Sequence, residues 1–293
     1  MNNFIQNYEL ILCELQKMEI NFSSIRQIRK PKLNSLGVIT MAITAEYMSI
    51  DSECQLFRVI SGSYLENKIE RSVYNRRRRK LFDFIDLVRK KMVHAFNEFE
   101  EYYIIDSMPL EICKKSRQYS LKICKSKYET SPEKGYCASQ DFWFYGYKLH
   151  AICSINGVFQ SFDLTKANVH DIHYLEDVKN QINDCVLLGD KGYLSIEKQV
   201  DLFESANIKL ETPMRKNQIN YKKQAYVFRK SRKRIETLFS QLCDQFKIRN
   251  NYAKSFEGFK TRILTKITAL TTIQFLNKFV LNRSINRIKL NLF

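Results

Sequence analysis

The segment Tyr102-Tyr103-Ile104-Ile105-Asp106 decides the fold class, because it is a short run of apolar strand-forming residues that ends at an acid. A second run of this kind, residues 185–188, ends at Gly189-Asp190. Short apolar runs closed by turn residues predict buried strands. Open α/β sheets bind ligands at the ends of such strands. We therefore predict that Asp106 and Asp190 each close a strand and project from the same sheet edge.

The surrounding sequence alternates between strand and helix patterns. Two further strands flank Asn156-Gly157, the strongest short hairpin signal in the chain. The predicted strands cover residues 147–155, 158–164 and 208–211; the predicted helices cover residues 171–182, 196–205, about 230–246 and, as an amphipathic helix, 259–280. Residues 214–226 are polar and basic and predict a loop. Strand, hairpin, helix, strand, helix, strand, helix is the order of a ribonuclease-H-like fold, so the predicted class is α/β with a mixed sheet.

The first hundred residues have helical periodicity. Three helices are predicted. The first covers residues 38–48, the second begins at the cap Asp51-Ser52, and the third covers residues 81–96. We predict an all-α N-terminal DNA-binding region, residues 1–100, and a catalytic domain with a C-terminal helix, residues 101–293. The run Arg76-Arg77-Arg78-Arg79 is placed at the start of the third helix, where phosphate anchoring is favoured over base reading for most of the four.

The composition favours a polyanionic partner. The 48 Lys and Arg residues exceed the 31 acids and give a net charge of +17 with a pI near 9.4. Nucleic acid is the first expectation and an anionic membrane surface the second. The alternative, that the positive charge serves only solubility, is weaker because the positive charges cluster in sequence. The eight cysteines include no Cys-x-x-Cys pair, which predicts reduced thiols. The His and Cys residues also do not form two pairs at the spacing that a zinc finger requires.

Two observations predict a soluble cytoplasmic protein. The first ten residues include Glu9 and lack the pattern of a signal peptide. The most apolar stretch, residues 263–281, is interrupted by Lys266, Gln274 and Lys278, which argues against a membrane span.

Glu236 is the third candidate acid. It lies at the rim of a predicted buried stripe, which consists of Ile235, Leu238, Phe239, Leu242 and Phe246. Arg229, Arg232 and Lys247 are predicted to lie along the same helix edge and to hold a phosphate backbone. Three converging carboxylates would suit Mg²⁺, or Mn²⁺ in its place, in a two-metal cleavage of a phosphodiester.

Each candidate has a structural alternative. An Asp after a strand is often a turn residue, and a Glu four residues after an Arg is often a surface pair that contributes about 0.3 to 0.5 kcal/mol. Lys191 either reaches a phosphate or is a solvated turn lysine. His150 is expected to support the site, because a single His on a strand is usually a core or rim residue. The basic residues between 114 and 127 either guide DNA or form a solvated insertion.

Several short motifs, in order, are similar to those of bacterial insertion-sequence transposases of the DDE class, specifically the insertion-sequence family nine-eight-two. The resemblance spans most of the chain and is carried by Ser72-Val73-Tyr74-Asn75-Arg76-Arg77-Arg78-Arg79, Ile105-Asp106-Ser107-Met108-Pro109, Gly135-Tyr136-Cys137-Ala138-Ser139, Phe144-Tyr145-Gly146-Tyr147-Lys148-Leu149-His150, Gly189-Asp190-Lys191-Gly192-Tyr193, Pro213-Met214-Arg215-Lys216-Asn217 and Arg234-Ile235-Glu236-Thr237.

The resemblance implies a ribonuclease-H-like catalytic domain, dependence on Mg²⁺, and cleavage and strand transfer at the ends of a mobile element. It maps the acids onto Asp106, Asp190 and Glu236 and adds Arg215 and Lys216 to the expected DNA contacts. Related transposases carry a Tyr, Arg, Glu and Lys signature on the last catalytic helix. Arg232 fits the Arg position, but Arg229 and Cys243 occupy the Tyr and Lys positions, so Lys247 is the expected substitute.

The expected partners are the terminal inverted repeats, target DNA and further copies of this chain assembled on DNA ends, all at the bacterial nucleoid in the cytoplasm. Two alternatives stay open. One is a structure-specific ribonuclease-H-like nuclease or resolvase without strand transfer, which flanking inverted repeats would argue against. The other is an inactive transposase-derived DNA-binding protein, against which the intact acids argue.

Overall fold

The computed structural model describes residues 3–23, 29–96, 100–138, 141–215, 217 and 221–289. The chain divides into two compact units, one of Met1–Ala95 with Leu242–Phe293 and the other of Phe96–Gln241. The first boundary lies near the predicted one at residue 100. The segment from Leu242 onward groups with the N-terminal helices, whereas the sequence prediction counted it with the catalytic domain.

The second unit is built on one mixed sheet. Its strands are β1 (Tyr102–Cys113), β2 (Glu133–Cys137), β3 (Phe142–Ser154), β4 (Phe159–Lys166), β5 (Cys185–Leu188) and β6 (Ile208–Glu211). The order is β2-β3-β1-β5-β6, and β4 also pairs with β3. β1 is antiparallel to β3 and parallel to β5, which is parallel to β6. Without β2 the order is β4-β3-β1-β5-β6, the ribonuclease-H-like arrangement, which confirms the predicted fold class.

β1 is longer than predicted and carries Asp106 inside it rather than at its end. Its parallel pairing with β5 stops at Ile104↔Leu188, but its antiparallel pairing with β3 continues to Cys113↔Tyr145. The sequence prediction ended the strand at residue 105 because Asp, Ser and Pro are depleted in strands. Pairing with β3 overrides that preference. β2 was not predicted at all.

The predicted hairpin between β3 and β4 is confirmed. Gly157 has a φ of +90°, which a residue without a Cβ adopts readily. Its backbone N–H donates to the Ser154 carbonyl over 2.9 Å, and the Ser154 N–H donates to the Val158 carbonyl over the same distance. The turn brings β4 back along β3 in the register His150↔Asp163.

One face of the sheet packs against short helices. The residues of this core include Tyr103 and Ile105 of β1, Ile152 of β3, and Leu202. The helices are α6 (Leu175–Val178), which follows a 3₁₀ turn at Asp171–Tyr174, and α7 (Ile196–Ala206). The predicted helix over residues 171–182 is therefore only two short turns, and the turn-forming residues Asn180, Asn183 and Asp184 follow it.

The opposite face of the sheet is covered by α8 (Tyr226–Asp244). The ring of Phe239 stacks on Phe159 with 6.3 Å between centroids, and Phe228 lies 6.3 Å from Tyr102. Because side chains alternate along a strand, Tyr102, Ile104 and Asp106 share this face while Tyr103 and Ile105 occupy the other. The alternation therefore directs Asp106 toward the face that carries α8.

The first unit is helical. It contains α1 (Asn3–Gln16), α2 (Ser35–Tyr47), α3 (Glu53–Val59), α4 (Arg71–Lys80), α5 (Phe82–His94) and α9 (Phe256–Phe275), which continues into a π-helical turn at Leu276–Val280. α1 was not predicted, and α4 and α5 are two helices where one was expected. α9 packs against α2, α4 and α5 and is buried on almost all sides, so its predicted amphipathic character is wrong.

Two cations on α9 are paired and hydrogen-bonded inside the first unit. Lys266 Nζ lies 2.6 Å from Glu46 Oε2 and 2.5 Å from the Phe246 carbonyl oxygen. Arg262 Nε lies 3.3 Å from Glu46 Oε1, and its guanidinium also donates to the Asp51 carbonyl. Buried charges are tolerated when they are paired and hydrogen-bonded. No helix in the described part of the chain has the length and apolarity needed to cross a membrane.

Candidate active site

Asp106 and Asp190 occupy equivalent places on neighbouring parallel strands. Ile104 and Leu188 are directly opposite in the register of β1 and β5, and each acid follows its strand partner by two residues. The two carboxyls are close enough for the charge of Asp190 to raise the pKa of Asp106. The prediction that both acids lie at one edge of the parallel ladder therefore agrees with their positions.

The environment of Asp106 disfavours its ionised form. Burial is the largest effect and raises the pKa of this carboxyl to about 7, with Asp190 and Asp171 adding to the rise. The backbone N–H of Ser107 donates to Asp106 Oδ1 over 2.8 Å and opposes the rise, as does Arg232. A nearby cation would favour the ionised form.

Asp190 is held by the turn that follows β5. It caps the 3₁₀ turn Lys191–Tyr193, and its Oδ1 accepts a hydrogen bond from the Gly192 N–H over 2.8 Å. A Cβ at Gly192 would lie only 2.9 Å from this oxygen, so any other residue at position 192 would displace the Asp190 carboxyl. The turn therefore fixes the orientation of the Asp190 carboxyl.

Glu236 lies on the edge of α8 that also carries Arg232. The predicted buried stripe is confirmed: the five apolar side chains are buried, and Glu236 beside them is exposed. Arg232 is half-buried and lowers the pKa of Asp106, so it lies near that carboxyl. Residues four apart share one helix edge, which puts Glu236 one turn beyond Arg232 on the same edge.

The donor chemistry of the pair fits a hard divalent cation. Carboxylate oxygens are the ligands that Mg²⁺ and Mn²⁺ prefer, and a half-buried acid beside another acid is stabilised by a cation between them. Within the described residues, no three His, Cys, Asp or Glu side chains form a group that could hold a metal ion. The structure thus brings Asp106 and Asp190 together but does not gather Glu236 with them.

The cations predicted around the acids differ in their placement. Lys191 is exposed directly after Asp190, and Arg215 is exposed after β6, whereas Lys216 lies outside the described residues. Arg229 is exposed, with its guanidinium carbon 5.8 Å from the centroid of the Tyr226 ring. Lys247 lies beyond the end of α8 with a φ of +48°, so the predicted alignment of three cations along one helix edge is wrong. The helix ends two residues earlier than its apolar pattern indicated.

The arginine run also differs from its prediction. It forms the last turn of α4 and does not begin a helix. Arg76 and Arg79 are exposed, but Arg77 donates to the Leu33 carbonyl over 2.7 Å. Arg78 is buried, 3.1 Å from Glu53, with its guanidinium carbon 5.5 Å from the centroid of the Tyr74 ring. Arg77 and Arg78 are therefore engaged within the first unit.

His150 is part of the core beneath the acids. Its ring is fully buried, stacks on Tyr174 at 5.0 Å between centroids, and places Nε2 2.8 Å from Thr165 Oγ1. Burial lowers its pKa to about 4, so the ring is neutral near pH 7. This agrees with the supporting position expected from the sequence.

Two residues near the acids were missed by sequence reasoning. Asp171 pairs with Lys148 at 3.0 Å, and its charge also raises the pKa of Asp106. Tyr193 is fully buried beside Asp171, Asp106 and Asp190, and in the described structure its hydroxyl has no hydrogen-bond partner. Tyr193 stands in the quoted motif that begins at Gly189, but Asp171 resembles an ordinary helix-capping acid and gave no separate signal.

Comparisons with known proteins identify the family. The family model described as transposase DDE domain matches residues 97–272, which is more than half of the chain. No curated protein sequence matches the chain. Among solved structures, the crystal structure of a pre-cleavage Mos1 transpososome is similar at a TM-score of 0.25 and 8% identity, with 90% of this chain and 85% of that chain covered. On the family match, the chain belongs to the transposase DDE domain family, whose enzymes act on DNA with divalent metal ions.

Proposed function

We propose that this transposase cleaves DNA at the ends of an insertion sequence and joins the freed 3′ ends to target DNA, with Asp106, Asp190 and Glu236 as its catalytic acids. In the joining step each 3′ hydroxyl attacks a target phosphodiester and displaces the 3′ oxygen of the target strand. The main support is the equivalent position of the two aspartates beyond the Ile104–Leu188 pair. The second support is Arg232 on α8, whose charge acts on Asp106, with Glu236 one helical turn further along the same edge of α8.

The proposed metal is Mg²⁺, which Mn²⁺ could replace. When bound, the divalent ions would lower the pKa of the attacking water and stabilise the leaving oxygen. Asp106 and Asp190 would hold them through carboxylate oxygens that the Ser107 and Gly192 backbone amides orient. Glu236 would complete the ligand set and orient the nucleophile, for which its exposed side chain has rotational freedom.

Basic residues of both units would hold DNA. The charge of Arg232 lowers the pKa of Asp106, and this residue would balance the charge of a scissile phosphate in the site. The other proposed phosphate contacts are Arg76, Arg79, Lys191, Arg215, Lys216, Arg229 and Lys247. The proposed substrates are the terminal inverted repeats and target DNA of the bacterial nucleoid, and two or more copies of the chain would assemble on paired ends.

A cleavage assay tests the assignment. Full-length protein is incubated with Mg²⁺ and an end-labelled duplex that contains the element end, and nicked product is measured over time. We expect Asp190→Ala to abolish nicking while its affinity for the duplex, measured by anisotropy, stays within about twofold. Asp177→Ala, an exposed aspartate on α6, is the matched control and should cleave normally. Cleavage by Asp190→Ala at a rate near that of the wild type would refute the proposal.

A further inference from the structure

Two aromatic side chains are exposed at the edge of the sheet in the second unit. Tyr136 on β2 and Trp143 on β3 are directly opposite in the strand register, and their ring centroids lie 5.1 Å apart. They keep 44% and 49% of their surface exposed. Cross-strand aromatic pairs of this kind are normally part of a packed face. This pair instead lies partly open to solvent.

Lysines lie over the rings of this cluster. The Nζ atoms of Lys134 and Lys115 are 4.1 Å and 5.6 Å from the centroid of the Trp143 ring. Lys125 Nζ lies 5.4 Å from the ring centroid of Tyr145, the residue opposite Lys134. The three lysines are exposed. The Tyr136 hydroxyl donates to Asp141 over 2.5 Å, which fixes the orientation of that ring. We name Tyr136, Trp143, Tyr145, Lys115, Lys125 and Lys134 the aromatic–lysine patch.

The patch lies on the same sheet face as Asp106. In the pairing of β1 with β3, Asp106 is opposite Ala151, and Trp143 lies eight positions before Ala151 on β3. An even separation along a strand keeps two residues on one face. At roughly 3.4 Å per residue the separation is about 27 Å. Duplex DNA advances about 3.4 Å per base pair, so a duplex that lay along β3 would span this distance in about eight base pairs.

We propose that the aromatic–lysine patch binds unpaired nucleotides of the substrate DNA, with bases stacked on Trp143 and Tyr136 and phosphates held by the three lysines. Aromatic rings interleaved with lysines on a surface that tracks the backbone are what single-stranded nucleic acid requires, since every base has a face that can stack. The positive charge over the rings favours a phosphate-bearing partner over an apolar peptide. That the bound strand is transposon DNA rests on the proposed function; that the patch binds an unpaired strand does not.

The sequence makes a direct test possible, because Trp143 is the sole tryptophan of the chain. Full-length protein, in EDTA, is titrated with oligothymidylate of about 16 nucleotides, near the upper end of known site sizes. Tryptophan fluorescence is followed together with the anisotropy of a label on the strand. We expect saturable quenching by at least half. An abasic strand of equal length should bind through its phosphates and quench less than a fifth as much.

A variant series measures the contribution of the second ring. Tyr136→Ala should weaken oligothymidylate binding at least fivefold and leave abasic-strand binding within twofold. Phe203→Ala is the matched control: Phe203 is 59% exposed on α7 of the same unit, and its removal should change neither affinity. Thermal unfolding of each variant verifies that the unit is intact. The quenching experiment uses wild-type protein and therefore needs no variant to fold.

Two results would overturn the proposal. One is unchanged tryptophan fluorescence while anisotropy shows the strand to be bound. The other is equal quenching by the abasic strand, which would mean that the lysines bind phosphate and no base stacks on Trp143. The fluorescence measurement involves neither divalent ions nor cleavage. The patch proposal can therefore be confirmed even if the Asp190→Ala assay contradicts the proposed function, and the proposed function can be confirmed even if the patch proposal is overturned.

Discussion

The pKa of Asp106 is set by residues from four separate segments of the chain. Burial among the strands raises it, Asp190 from the turn after β5 and Asp171 from the turn before α6 raise it further, and the Ser107 backbone N–H and Arg232 from α8 oppose the rise. An isolated aspartate with the same neighbours in sequence would have an ordinary pKa. The chemistry of the site is therefore a property of the fold at this residue.

This raised pKa predicts a pH dependence of stability in the metal-free protein. The carboxyl titrates near 7 when folded and near 3.8 when unfolded, so the unfolded chain releases its proton first as the pH rises. Stability contributed by the protonated group is thus lost between about pH 4 and pH 7. For this half-buried group we expect Asp106→Asn to raise the free energy of unfolding by about 2 kcal/mol at pH 8 in EDTA and to change it little at pH 4.

Urea denaturation at the two pH values measures this difference, with Asp177→Asn as the control. Addition of Mg²⁺ at pH 8 should then raise the melting temperature of the wild type and leave that of Asp106→Asn unchanged. Equal stabilisation of both proteins by Mg²⁺ would show that the ion binds elsewhere.

At the scale of elements, α4 shows how one helix gives neighbouring arginines different uses. Successive residues are rotated by about 100°, so four consecutive arginines cannot share one face. Arg78 turns inward to Glu53 and Tyr74, while Arg76 and Arg79 remain exposed. A run that looks uniform in the sequence therefore contains both a structural residue and candidate phosphate contacts.

Arg78→Ala and Arg79→Ala should separate these two uses. Removal of the buried Arg78 leaves Glu53 without its cation, with the Asn75 side-chain amide still donating to it. It should lower the free energy of unfolding by about 3 kcal/mol, measured by urea denaturation. Arg79→Ala should change stability by less than about 0.5 kcal/mol. It should instead reduce the slope of log affinity for DNA against log salt by about 0.9. An unchanged salt slope would exclude Arg79 from the DNA contacts.

At the scale of the whole molecule, both ends of the chain build the first unit. α9 supplies its central helix and is buried on almost every side by α2, α4 and α5. The ion cluster of Glu46, Arg262 and Lys266 joins α2 to α9 in the same core. A helix that is buried on almost every side, its threonines and paired cations included, depends on such a core for its stability.

This arrangement predicts unequal behaviour of fragments. Residues 1–95 alone should lack cooperative thermal unfolding, because Glu46 would lose both its cations and α2 and α5 would lose their apolar cover. Residues 96–241, which contain the whole sheet, should unfold cooperatively. Circular dichroism over a temperature ramp measures whether each fragment unfolds cooperatively. A cooperative transition in the fragment 1–95 would show that α9 is dispensable to this core.

Much of the second unit could be predicted from short-range signals. The limits of β5 and β6, the hairpin at Asn156-Gly157 and the buried stripe of α8 follow from local apolar patterns and turn residues. β2 could not be predicted, because its five residues gain strand structure only by pairing with β3. The same holds for the second half of β1, whose Asp, Ser and Pro residues oppose a strand locally.

The sequence by itself determined the strand and helix order of the catalytic unit, the identity of its candidate acids and the basic character of its surface, since these depend on residue type and local period. The tertiary structure alone decided which charges face inward, where β1 ends and which unit α9 joins. Those outcomes depend on interactions between residues far apart in the chain, such as the ion pair of Glu46 with Lys266 and the electrostatic effect of Arg232 on Asp106. Burial and pairing energies at such contacts exceed local preference, and no local pattern encodes them.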